Sequence, residues 1–147
     1  METLTIHGVL FLVSMLAATV LPGSSEAVLL TLITREPHNA ITLTATATVG
    51  NTLGAIINWS LGRWLLLYAD RRCFPATPKQ LQNASELFRR YGVWSLLFSW
   101  VPIVGDPLTV IAGVLKVPFV PFAILTGLGK LGRYFLLIGA WRAMVGF

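Results

Sequence analysis

Charge is what this sequence has least of. Asp, Glu, Lys and Arg make up 12% of its 147 residues, about half the share of a soluble domain and too little to coat a globule of this size. Cysteine occurs once, at Cys73, which excludes a disulfide framework and a thiolate metal site. His7 and His38 are the only histidines, and neither has a partner at ligand spacing, so no metal and no cofactor is expected. A nucleophile–histidine arrangement and a Gly-rich phosphate loop are absent as well, so an enzyme is not expected. Long uncharged runs fill the space instead. Leu4–Leu21 has 18 residues with one histidine, and Ala40–Gly62 has 23 with no formal charge. Runs of roughly 18 or more apolar residues read as membrane helices. The expected fold class is therefore an all-α integral membrane protein, one domain over 1–147. Its net charge of +5 speaks to topology rather than to nucleic acid.

Leu4–Leu21 lacks the basic n-region of a signal peptide, since the first basic residue is Arg35, and "VLPG" is a poor cleavage site. The run breaks at Pro22-Gly23, and only Ala27–Thr34 continues it before "REPHN". Eight helical residues rise about 12 Å, too little for a hydrocarbon core of ~30 Å. The reading is a re-entrant hairpin over 4–36 with its tip at "PGSSE", followed by a crossing helix over 40–66. Residues 67–92 form the one polar stretch. Leu81, Ala84, Phe88 and Tyr91 recur there at helical spacing, as in an amphipathic helix lying at the interface. A second hairpin over 93–116, broken at "GDP", and a second crossing helix over 117–141 complete the chain.

The halves echo each other. Glu26 follows Pro22 by four residues, and Asp106 follows Pro102 by four; Gly50-Asn51 and Gly129-Lys130 come 24 and 23 residues later. One hairpin and one crossing helix per half, entering from opposite faces, make an inverted repeat. Seven basic residues (Arg63, Arg71, Arg72, Lys79, Arg89, Arg90, Lys116) then share one face, against Arg35 and Arg142 on the other. The positive-inside rule places the 67–92 loop in the cytoplasm and both termini outside.

Glu26, Asp106, Lys130 and Arg133 fall at hydrocarbon depth, where a charge costs at least ~2.5–3.5 kcal/mol and must be paired, hydrated or protonated. Lys130 and Arg133 lie three apart, on one helix face. The expected site is a midplane cavity with the two acids against the two bases, joined by Asn51, Ser24 and Ser25, with Asn58 two turns beyond Asn51. Pro22, Gly23, Pro102, Gly105 and Pro107 shape the tips. Asp106 before Pro107 reads as an N-cap, and free amides at both half-helix starts suit an anion such as phosphate. Plainer roles stay open: Asp106 as cap alone, Glu26 and a base as a structural pair, the asparagines as interhelical bonds. The tryptophans fit an interfacial belt.

"PGSSE", "GNTLGAIINWSLGR" and "FRRYGVWSLLFSWVPIVGD", with Ala112-Gly113, resemble the DedA family, also called the VTT or SNARE-associated membrane family, in order over residues 20–134. The likeness is to a short branch without the extra N-terminal helix. It implies a bacterial inner-membrane lipid transporter, flippase or scramblase with two opposed re-entrant hairpins. It further implies a link to undecaprenyl phosphate and membrane homeostasis, membrane lipids as partners, and coupling to H+ or Na+; the sequence leaves a homo-oligomer open. Glu26 matches the acid of the first hairpin. The sequence departs from the family at Ser99 and Gly105, which replace two arginines, and at Ala55, which replaces an acid.

Overall fold

The computed structural model describes residues 2–18, 24–35, 39–65, 77–101 and 103–146. Among them the regular elements are α1 (Glu2–Ala17), α2 (Ser24–Arg35), α3 (Ala40–Leu65), α4 (Pro78–Tyr91), a 3-10 helix (Gly92–Trp100), α5 (Gly105–Val114) and α6 (Phe119–Val145). Strands are missing from the described residues. Two helices, Ala40–Trp64 and Phe119–Val145, are long and apolar enough to cross a membrane. Their parent elements of 26 and 27 residues rise about 39 and 40 Å. The all-helical membrane class holds. The expected tip residues Pro22, Gly23 and Pro102 lie outside the described residues.

The start of α3, "AITLTATATV", alternates like a strand, yet it is helical. Thr44, Thr46 and Thr48 each donate a hydroxyl to the carbonyl four residues back, at 2.7–2.9 Å. Lipid offers the backbone no partner, so the conformation that bonds every amide within the segment wins over β-propensity.

Contacts along α3 give the directions of its neighbours. Phe11 and Met15 of α1 close on Gly50 and Gly54, and Asn58 donates to the Ala18 carbonyl at 2.8 Å. The numbers rise together, so α1 runs parallel to α3. Phe122 stacks on Trp59 at 5.6 Å and Tyr134 meets Asn51, so α6 runs antiparallel. Helix α2 starts beside Tyr134, level with Asn51, and its Ile33 packs with Ala40 and Leu43 at the start of α3. Helix α5 starts beside Lys130 and reaches Trp59 and Arg63 near the end of α3. Both short helices thus begin at the middle of α3 and leave in opposite directions.

Where α3 and α5 cross, their backbones touch. A β-carbon on Gly113 would overlap the Trp59 carbonyl, and one on Gly62 the Val110 carbonyl. Two apolar clusters result. Leu10, Leu29, Ile33, Leu43, Tyr134 and Ile138 pack on one side of mid-height; Ala55, Ala84, Leu96, Leu108, Ala112 and Phe122 pack on the other.

Several expectations need correction. Helix α6 spans Phe119–Val145 rather than 117–141; α1 runs Glu2–Ala17, and the expected end of the first helix at Leu21 lies outside the described residues. The stretch expected as the first arm of a second hairpin is a 3-10 helix, whose nine residues reach about 18 Å where an α-helix of that length reaches about 14 Å. Its three-residue repeat lines up the buried Leu96 and Ser99. Helix α4 has Thr77 as N-cap in a capping box with Gln80 and Pro78 at its start. Of its expected apolar face, Ala84 and Phe88 reach the core and Leu87 joins them, but Tyr91 stays exposed against Phe98.

Helix α5 closes in a Schellman motif: Val117 N–H bonds Ala112 O and Lys116 N–H bonds Gly113 O, both at 3.0 Å. The left-handed position, φ +56°, is filled by Lys116 where glycine is usual. Lys116→Gly is expected to raise stability by about 1 kcal/mol, read as a higher midpoint in thermal unfolding of the detergent-solubilised protein.

Candidate functional site

The four buried-depth charges meet at the centre of the molecule. Lys130 and Arg133 are the twelfth and fifteenth residues of α6, and Asn51 is the twelfth of α3, so all three sit near the midpoints of the membrane-length helices. Arg133 Nε donates to Glu26 Oε1 in the first turn of α2. Lys130 Nζ donates to Asn51 Oδ1 and stands 3.9 Å from Asp106 Oδ1 in the first turn of α5. Each base on α6 therefore faces the start of one short helix.

A bonded row joins the two ends. Asn51 Nδ2 donates to Tyr134 Oη at 3.1 Å, and Tyr134 Oη shares a hydrogen bond of 3.1 Å with Ser25 Oγ. Ser25, Tyr134, Asn51 and Lys130 are 2%, 1%, 6% and 3% exposed, whereas the side chains of Glu26, Arg133 and Asp106 keep 23%, 19% and 33%. The outer charges are partly open and the row between them is closed. Net formal charge over the two acids and two bases is zero, which lets four charges share a low-dielectric centre.

Of the expected site residues, Glu26, Ser25, Asn51, Asp106, Lys130 and Arg133 are brought together. Ser24 is the first residue of α2, next to them. Gly105 and Pro107 are buried in the first turn of α5 and position Asp106. Asn58 lies apart, bonded to the end of α1. Asp106 is not an N-cap: α5 begins at Gly105 after Val104, and no side chain caps it. The start of α5 is also poorer in free amides than a bare helix end. Gly105 N–H bonds Val101 O at 2.8 Å, Leu108 N–H bonds Val104 O at 3.0 Å, and Pro107 has no N–H. The preceding turn caps this helix through its backbone, which leaves Asp106 free to face Lys130.

Tyr134, the hub of the row, was not expected from the sequence. Its signal is the spacing Thr126, Lys130, Tyr134, three polar-tipped residues four apart on one face of an apolar helix. Of the five tryptophans, Trp59 packs into the seam of α3 and α6. It donates Nε1–H to Val117 O at 3.2 Å, stacks on Phe122, and carries the Arg63 guanidinium 5.1 Å from its ring centroid.

The VTT domain matches residues 9–142, a stretch that contains the whole cluster. The chain belongs to the VTT-domain family. Inner membrane protein YqaA of Escherichia coli K12 is 37% identical to this VTT-domain chain over 131 residues, covering 89% of it and 87% of the relative. YqaA of Shigella flexneri matches to the same degree. An uncharacterised Haemophilus influenzae protein is 35% identical over 136 residues, covering 88% of this chain and 83% of its own. No solved structure matches. The family is the one that the three ordered motifs resemble. Inner-membrane relatives and two helices of membrane length place this VTT-domain protein in the bacterial inner membrane.

Proposed function

We propose that this VTT-domain protein is a transporter of the DedA type, moving the phosphate-bearing headgroup of a lipid, or a small anion, across the inner membrane. One observation carries the reading: α2 and α5, rising only about 18 and 15 Å, start at one charged mid-height cluster and run to opposite ends of α3. Two opposed re-entrant hairpins in an inverted repeat account for that arrangement, with 67–92 on the cytoplasmic side. Half-helices that begin at the midplane beside ionised groups are how many transporters hold substrates.

Arg133 and Lys130 are the cations offered to a phosphate. Both are engaged by acids or by Asn51, so a phosphate must displace a partner. A proton or sodium ion taken up at Glu26 frees Arg133, which couples uptake of the cation to binding of the anion. In proteoliposomes carrying a fluorescent phospholipid, the parent protein is expected to move the probe between leaflets. Glu26→Gln and Arg133→Ala should slow that movement at least about tenfold, the cost of one charge-assisted bond, while both proteins remain inserted. Parental rates in both variants would overturn the proposal. The closed Glu26–Arg133 bond favours a second reading, in which the charges only hold the two hairpins together.

A further inference from the structure

Hydrogen-bonding capacity is spent unevenly across the cluster. On the α2 side Arg133 gives Nε–H to Glu26 and, at 19% exposure, turns part of its guanidinium to the open side of the cluster, while Ser25, Tyr134 and Asn51 close the row. On the α5 side the Lys130 ammonium has three donors. Asn51 takes one, and the Asp106 oxygen at 3.9 Å is beyond hydrogen-bond range. Two buried hydroxyls, Ser99 Oγ and Thr126 Oγ1, have no partner among the described residues.

The packing gathers these groups along one stretch of α6, residues 126–130, and the elements that close on it. Ser99 Oγ faces α6 at Gly129, 3.3 Å from where a β-carbon would sit, and the Ser99 carbonyl closes on Gly105, the neighbour of Asp106. Thr126 is fully buried one turn before Lys130. At 100° per residue it points between Gly129, which faces the 3-10 helix, and Lys130, which faces α3. Of the other unpartnered atoms, Thr52 Oγ1 lies in the α3–α6 seam 3.8 Å from the β-position of Gly127, next along from Thr126, while Ser14 Oγ and Asn58 Oδ1 lie in the seam of α1 with α3. Leaving two hydroxyls and an ammonium unmatched at this depth costs several kcal/mol, so the corner is built to hold something.

We infer that Ser99, Thr126, Lys130 and Asp106 form a subsite for a neutral hydroxyl group, supplied by water or by the alcohol of a lipid headgroup. The group must accept from Lys130 and donate to the Asp106 carboxylate, and an O–H does both. An ammonium is repelled by Lys130. A second anion meets the Asp106 carboxylate and a helix start whose Gly105 and Leu108 amides are already bonded. The inference deepens the transport reading, and its lipid arm rests on that reading; the water arm stands without it.

The test uses the full chain in vesicles of equal phosphatidylglycerol and phosphatidic acid, which share a phosphate and differ in headgroup hydroxyls. Lipid retained on the protein is weighed by native mass spectrometry. A preference for phosphatidylglycerol of about tenfold, the size of one charge-assisted hydrogen bond, is expected if the lipid supplies the hydroxyl. It should vanish in Ser99→Ala/Thr126→Val and persist in Thr126→Ser, which keeps the hydroxyl and reports on folding. If water is the occupant, neither lipid is preferred. Thr126→Val then unfolds at lower temperature than the parent, because it removes a hydroxyl that water satisfies. The subsite is refuted by any of three results: phosphatidic acid preferred, a glycerol preference that survives the double variant, or no preference together with a Thr126→Val protein that unfolds at or above the parental temperature, as loss of an unsatisfied hydroxyl would give. Loss of translocation in Glu26→Gln is independent of all three, so the two proposals fail separately.

Discussion

Gly113→Val is expected to leave no folded protein. The added β-carbon falls on the Trp59 carbonyl and against the Arg63 amide, main-chain atoms that cannot turn aside as a side chain would. Ordinary overpacking of a core costs about 1–3 kcal/mol. Here the whole of α5 must lift from α3, losing the crossing that buries Leu108, Ala112 and Ala55. Folded yield, read as the monodisperse fraction after solubilisation in mild detergent, should fall to background. Gly132→Val on α6 is the matched control, since nothing lies within 4 Å of its β-position. It should stay within about 0.5 kcal/mol of the parent, as surface substitutions do.

Arg133→Ala should be the costliest of the charge removals. It strands Glu26 at mid-height with its bond broken. Removing one partner of a fully buried pair costs about 3–5 kcal/mol; here both side chains keep about a fifth of their surface exposed, so about 2–3 kcal/mol is expected. Glu26→Gln/Arg133→Gln removes both charges and should recover to within about 1 kcal/mol of the parent. Thermal unfolding of the parent, the singles and the double closes the cycle. Translocation measured on the same four proteins separates the two readings of the pair. A double variant that is stable and inactive supports transport. One that is stable and fully active assigns the charges to holding the hairpins.

Much of this was legible beforehand, because a bilayer leaves few options. Uncharged runs of 18 and 23 residues had to be helical, and an acid isolated among them had to find a base. The i,i+3 spacing of Lys130 and Arg133 put both on one face, and the structure turns that face to Glu26 and Asp106. What escaped the sequence depends on contacts between distant segments. Asp106-Pro107 carries the local signature of a cap, but the turn through Val101 and Val104 supplies that bonding from the backbone. Nothing local marks Tyr134 as a hub, since its partner Ser25 lies 109 residues away. The 3-10 arm has no local signature either. Its pitch follows from how Ser99 wedges between Gly105 and Gly129. Gly50 and Gly54 were readable as a G-x-x-x-G pair, and they are where α1 seats on α3.

The placement of both bases on α6 carries a mechanical consequence. Lys130 and Arg133 belong to one rigid rod, yet each answers to a different half of the molecule. Turning that rod by one residue's worth of screw, about 100° and 1.5 Å, would draw both from their acids in a single stroke. Helix α6 is in this sense a camshaft. Both acids ride on it, so whatever shifts the shaft addresses the starts of α2 and α5 together.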